Sequence, residues 1–405
     1  MPPFHLGWFT NFSNPPWNTP WSGTEGRDWP RGLAHVEFTR ALERACFDYV
    51  MLEDSSMVSD AYEGSTRVDL KHGLYAPKHD PLLLAPLLVA ATSRIGVIAT
   101  ASTSFYPPEL LARRYATLDD VSHGRIGWNV VTSSEDRAAQ NHGMDALPPH
   151  DERYARAEEF VGRVRRAWDT RFVGAAAAAD LAPVSTLDPP RHPVVCQAGG
   201  SPAGRAFAAR HADTVLSMAS GPEAMAAFRD DLRTRMRVDG RDPDTCKVLF
   251  ITHPVLADTT EEARAKAARE AAPTPAKVET SLAHLSAVTE IDFGSMDLDA
   301  PVGDLRTNGH TTTLEQFKAM GRTLREAAGN WSTGPARYVG TPEEVADLMG
   351  EDMAAVGGDG YLITGNIGRR FVGEVTDGLV PALQRRGLVR SEYAHEQFRD
   401  NLLEF

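Results

Sequence analysis

Along this chain, short runs of apolar and β-branched residues alternate with longer stretches whose apolar residues recur every three or four positions. The short runs predict strands at Phe4–Thr10, Tyr49–Asp54, Ile95–Thr103, Arg125–Ser133, Pro193–Gly199, Thr214–Ala219, Lys247–Ala257 and Gly360–Thr364. The longer stretches predict amphipathic helices, with stripes such as Phe38, Leu42 and Ala45, or Leu111, Tyr115 and Leu118, or Phe371, Val375, Leu379 and Leu383. Parallel strands need a crossover helix between them, so this alternation predicts an α/β fold. Eight near-continuously apolar strands fit a closed (β/α)8 TIM barrel, expected as one domain over residues 1–405, better than an open sheet.

One region breaks the rhythm. From Asp258 to Tyr338 there are helical patterns, "TTEEARAKAAREAA" and "LEQFKAMGRTLREAAG", with Gly-, Pro- and Asp-rich connections and no clear strand. This is an expected helical insertion after strand seven, residues 258–338, serving either as a pocket wall and lid or as a dimerisation element. The alanine-rich run Ala175–Asp180 is assigned to a loop without a role.

Composition narrows the function classes. An apolar fraction of 42% and a charged fraction of 24% are those of an ordinary folded protein. The formal charge of −13 repels nucleic-acid backbones and anionic lipid, so neither nucleic acid nor a membrane is expected as a partner. No apolar run is long enough to span a bilayer and no secretory pattern opens the chain, so a cytoplasmic location is expected. Cys46, Cys196 and Cys246 are odd in number and form no Cys-x-x-Cys, which reads as reduced thiols. His72, His79, His123, His142 and His150 stand in no metal-ligand spacing, so no metal is expected.

In a TIM barrel the chemistry gathers where strands give way to loops at their C-terminal ends. The residues there are Asp54, Thr100 to Thr103, Asn129 to Ser133, the Gly199-Gly200-Ser201 turn and Ser217. Each alone reads as a turn former or helix cap. Together they suit a ligand that takes many neutral hydrogen bonds and one phosphate. In "PVVCQAGGSPAGRAFAARHA" a strand, a glycine turn and a helix follow in order, so Gly200 and Ser201 could meet an anion at the helix start, with Arg205 adding charge. An ordinary turn fits that spacing as well, and it matches neither the dinucleotide fingerprint, the P-loop nor the hydrolase elbow.

In "PHDERYARAEEF", Asp151 is the expected cap of a helix that presents His150 and Tyr154 on one side. Carboxylate pairs occur at Glu53-Asp54 and Asp119-Asp120. Neighbours on a strand face opposite ways, however, and the second pair falls late in a helix, so a glycosidase is disfavoured. The run "HGRIGWNVVTS" sets a polar amide, Asn129, in the middle of a strand that should be buried.

Taken with "ARRYATLDDVS" before it and "HDERYARAEEF" and "QAGGSPAGRAFAARHAD" after it, "GRIGWNVVTSSEDRAAQNHG" resembles the bacterial luciferase-like flavin-dependent monooxygenase superfamily. Within it, the likeness is to the nitrilotriacetate, alkane and dibenzothiophene-sulfone monooxygenase group. The resemblance implies a barrel that binds reduced FMN delivered by a separate NAD(P)H-dependent flavin reductase, with O2 as co-substrate. A flavin hydroperoxide would then oxygenate a small organic substrate. Carried over residue by residue, Asp54, Thr100 or Thr103, Asn129, His150 and Tyr154 would surround the flavin ring and ribityl chain, and Gly200 with Ser201 would take the phosphate. His150 is the candidate for any proton transfer. Asn129 would face the barrel mouth and Trp128 the helices, while Trp8, Phe12, Trp17 and Trp21 would line the substrate side.

The segment between Trp168 and Pro193 departs from the family in being short. A homodimer or homotetramer is expected. Three other readings remain at this point: a deazaflavin-dependent oxidoreductase on the same barrel, a flavin-binding protein without turnover, and a barrel hydrolase.

Overall fold

Strand residues alternate between two apolar environments, and that alternation builds the architecture. The computed structural model describes residues 3–13, 29–170, 192–272, 274–333 and 336–405. Eight parallel strands close a barrel: β1 (His5–Asn11), β2 (Tyr49–Glu53), β3 (Gly96–Ser102), β4 (Ile126–Val131), β5 (Val194–Gln197), β6 (Thr214–Ser217), β7 (Lys247–Thr252) and β10 (Gly360–Thr364). They run in sequence order round the ring, with β10 pairing β1. This is the (β/α)8 barrel that the alternation predicts.

Tyr49, Met51, Ile98, Cys196, Leu249 and Leu362 pack inside the barrel, around Phe398 and Leu402 from the C-terminal segment. Their strand neighbours Val50, Leu52, Val97, Val195, Val248 and Ile363 face the helices. Phe398 stoppers the N-terminal end of the barrel. A Cβ on Gly96, at the start of β3, would lie 2.6 Å from its ring, so only glycine leaves it room. The opposite end stays available for a site.

The surrounding helices start where the chain supplies caps. Asp80, Ser201 and Thr341 each accept a backbone N–H with the side chain, and each is followed by proline at the first helical position. Phe38, Leu42, Leu111, Tyr115, Val375, Leu379 and Leu383 are buried in the layer between helices and barrel.

The region after β7 differs from expectation in detail. The predicted strand Lys247–Ala257 is broken at His253-Pro254. β7 ends at Thr252, and Val255–Leu256 (β8) turns away to pair with Val339–Gly340 (β9) in a small parallel sheet. Proline has no N–H to give a ladder, which is why the barrel strand stops there. Between β8 and β9 lie the helices Thr260–Ala271, Pro275–Thr289, Thr311–Lys318 and Leu324–Thr333.

The pattern "LEQFKAMGRTLREAAG" is thus two helices rather than one. At Gly321 the chain comes so close to itself that a Cβ would sit 2.4 Å from the Ala327 nitrogen, and Thr323 then restarts the helix by accepting from Glu326 N–H at 3.2 Å. Among the described residues, no helix is long and apolar enough to cross a membrane and no cluster could hold a metal ion.

The aromatic loop is also corrected. Trp8 lies on β1 with its side chain outward, fully buried against Phe38, Phe47 and Phe371, because strand parity turns it away from the lumen. Phe12 packs on Trp29, His35 and His79. Trp17, Trp21 and the Ala175–Asp180 run fall outside the described residues.

Candidate active site

The register of β3 against β4 places Thr100 beside Asn129. Both follow lumen-facing positions two residues earlier, Ile98 and Gly127, and both are buried. The Thr100 hydroxyl donates to the Leu52 carbonyl at 2.7 Å, so its lone pair is what accepts from Asn129 Nδ2 at 2.9 Å. That arrangement fixes the amide orientation and leaves Asn129 Oδ1 buried with no partner. A buried acceptor without a donor costs free energy, about 1–3 kcal/mol, unless a ligand supplies the N–H or O–H. Trp128, on the other face, donates its indole N–H to Ala101 O at 2.9 Å and packs against Tyr115, Phe160 and Trp168, as parity requires.

Thr103 lies past the strand end, and its hydroxyl donates to Val131 O at 3.3 Å. Asp54 follows β2 and is half-buried. Burial pushes its carboxyl up to about 7, and the neighbouring Glu53 charge adds to the shift. Parity makes Glu53 the carboxylate that shares the lumen face with Met51, and Lys78 holds it at 2.7 Å while also donating to Ser55 at 2.9 Å. The ammonium also lies 5.5 Å from the centre of the Tyr75 ring.

The glycine turn after β5 leads into the helix Pro202–His211. Ser201 is its N-cap, accepting from Gly204 N–H at 3.1 Å, and its proximity works against the rise that burial causes in the Tyr154 pKa. Gln197 donates to the same hydroxyl at 3.5 Å. A Cβ on Gly204 would lie 2.8 Å from that oxygen, so glycine there lets Tyr154 reach the turn. Gly200 is exposed and faces Thr312 of the insertion. Arg205 does not turn toward the cradle: it pairs with Asp231 at 3.2 Å and lies over Phe228.

The helix carrying His150 and Tyr154 begins at His150 itself, so Asp151 is not its cap. Asn308, from the insertion, accepts the His150 N–H at 3.0 Å, while Asp151 bonds to His150 Nδ1 at 2.9 Å. The imidazole and the Tyr154 ring meet edge-on at 5.1 Å. Burial raises the phenol, which stays protonated. Ser217 accepts from Ala219 N–H, and among the described residues its side chain hydrogen-bonds to none of this group.

The insertion is fastened over the loops that follow β2, β4 and β5. Tyr75 meets His284, Glu63 N–H meets Asp292, Asp136 N–H meets Glu290, and buried Arg153 reaches both Pro148 O and Asn308 O. His310, on the same insertion, is exposed, and partial desolvation by the surrounding chain lowers its pKa. Sequence reading missed Lys78, Tyr75, Gln197, His284, Asn308 and His310. No local motif links them, and only strand parity singles out Glu53.

The sequence pattern of the luciferase-like monooxygenase family matches residues 4–360. Dibenzothiophene-sulfone monooxygenase of Rhodococcus erythropolis is 33% identical over 94% of this chain and 92% of its own length. Nitrilotriacetate monooxygenase component A of Aminobacter aminovorans is also 33% identical, over 91% and 89%. The crystal structure of long-chain alkane monooxygenase superposes with a TM-score of 0.84 at 27% identity, covering 99% of this chain and 96% of that one. With a closed eight-stranded barrel and polar residues gathered at the C-terminal ends of its strands, the chain belongs to the luciferase-like monooxygenases and is a flavin-dependent monooxygenase.

Proposed function

We propose that this protein is the oxygenating component of a two-component system, using reduced FMN from a separate NAD(P)H-dependent flavin reductase and O2 to oxygenate a small organic substrate. The observation that carries this is the unpartnered Asn129 Oδ1, a buried acceptor in a lumen lined largely by neutral side chains. Flavin offers ring N–H and ribityl hydroxyl donors to such an acceptor, and carbonyls to the donors around it. The relative named as a component A supports the two-component arrangement.

Asp54, Thr100, Thr103, Asn129, His150 and Tyr154 would hold the ring and ribityl chain. Gly200 and Ser201 would hold the phosphate at the start of a helix whose dipole favours an anion. Reduced FMN supplies the electron pair that activates O2. The residues of this chain orient it and keep water away, which the roof of insertion residues over the mouth assists. Nδ1 of His150 is engaged by Asp151, so Nε2 is the atom free to carry a proton.

Stopped-flow absorbance tests the reading. Protein mixed with reduced FMN and then with oxygenated buffer should oxidise the flavin through a transient species, on a course distinct from that of free reduced FMN. A course identical to that of free flavin overturns it.

A further inference from the structure

We propose that His284, on the insertion helix Pro275–Thr289, selects the organic substrate by donating its Nε2–H to a neutral oxygen acceptor such as a sulfonyl or carbonyl group. The proposal rests on the monooxygenase reading and adds to it a substrate class.

The tautomer follows from its partner. Tyr75 is buried, and among the described residues its hydroxyl makes one hydrogen bond, to His284 Nδ1 at 2.9 Å. The phenol is protonated and has no other acceptor for its proton among the described residues, so it donates to Nδ1, and the proton of the neutral ring then lies on Nε2. The rings lie nearly parallel, at 10° with centroids 5.9 Å apart, which holds the imidazole in one orientation. Nε2 has no hydrogen-bond partner among the described residues. His284 is half-buried, and Tyr75 ties it to the barrel mouth: the Tyr75 ring lies 5.5 Å from the Lys78 ammonium, which pairs with Glu53 at the end of β2.

The charges around it choose the kind of acceptor. Lys78 and Glu53, next to the Tyr75 ring on the barrel side, and His310 on the insertion are the groups whose charges act on His284. Lys78 is nearly fully buried and already donates to Glu53 and Ser55, so its ammonium is committed. Glu53 keeps about a quarter of its side chain exposed and disfavours an anionic head nearby. What remains on offer is a single neutral donor, matched by a polar but uncharged oxygen. A bare thioether or hydrocarbon would leave that N–H unpaired, and sites built to hydrogen-bond a group discriminate against analogues lacking it.

Two matched pairs test this on FMN-loaded protein by calorimetry: dimethyl sulfone against dimethyl sulfide, and dibenzothiophene sulfone against dibenzothiophene. We expect the sulfone of at least one pair to bind about tenfold more tightly. His284→Leu should bring that ratio close to one. His284→Gln, whose amide N–H lies near the position of Nε2–H, should restore most of it. FMN affinity should be the same in all three proteins. Equal binding within both pairs, or no measurable binding of any of the four compounds, overturns the proposal, as does a ratio unchanged in His284→Leu. Loss of FMN binding by the unaltered protein would instead remove the monooxygenase reading beneath it.

Discussion

Asn129 donates its amide N–H to the Thr100 hydroxyl across the β3–β4 register, 2.9 Å away, and so leaves its own oxygen buried without a donor. Two strands hold the pair in place, so it is present before any ligand arrives. Asn129→Leu removes the acceptor, and Thr100→Val removes the anchor that aims it. Each should weaken binding of reduced FMN about tenfold while leaving the fold intact. Anaerobic titration measures this, and unchanged affinity in both variants would take the pair out of the flavin site.

Ser201 serves the helix and, in our reading, the phosphate, and two substitutions separate these roles. Aspartate caps helices as well as serine does, so Ser201→Asp should unfold at a similar temperature yet lose FMN binding, because its carboxylate opposes the phosphate. Ser201→Ala should lose about 1 kcal/mol of stability and bind FMN only moderately less well. Tight FMN binding by Ser201→Asp would place the phosphate elsewhere.

Asp54 carries a pH prediction. Its folded-state pKa is raised, to about 7, chiefly by burial and next by Glu53. A raised acid contributes stability that is complete below its unfolded pKa and is lost as pH rises through the folded value. Stability should therefore fall between about pH 4 and about pH 7, by an amount on the order of a few kcal/mol. Asp54→Asn should flatten that slope, as urea midpoints measured across the window would reveal. An equal slope in the variant would refute the assignment.

Acid should act through the buried imidazoles. Burial lowers His35 to about 4, partly opposed by its hydrogen bond to Asn11 O, and burial likewise lowers His284 to about 4. For a lowered histidine the contribution is present above the unfolded pKa and lost as pH falls, here between about pH 6.5 and about pH 4. His35→Gln should blunt the acid side of a thermal-stability profile, and a profile superimposable on the parent's would count against it.

Phe398 should matter for stability rather than for ligand. Phe398→Ala empties the stopper at the foot of the barrel and should cost about 3–5 kcal/mol, read from denaturant unfolding, with FMN affinity little changed. A loss below about 1 kcal/mol would mean that the lumen collapses to fill the space.

Local periodicity made much of this legible. Eight strands, their order and the stripes of the surrounding helices follow from apolar spacing, since a barrel strand buried on both faces must read as a continuous apolar run. The lumen placement of Asn129 and the outward placement of Trp128 follow from the same two-residue period. Trp8 departs from the expected pocket lining because strand parity turns it outward onto Phe38, Phe47 and Phe371. Arg205 departs from the expected anion contact because its partner, Asp231, comes from the next helix.

The roof of the site could not be read locally at all. Tyr75 and His284, or His150 and Asn308, are separated by much of the chain and meet only when the insertion folds back over the barrel. Short-range hydrophobic period determined the barrel and the neutral set at its strand ends, because those depend on alternation within one strand. Tertiary packing alone decided which carboxylate carries a lysine, which imidazole keeps a free N–H and which amide oxygen is left waiting. Hydrogen-bond satisfaction is settled between elements in space, and spacing along one element does not encode it.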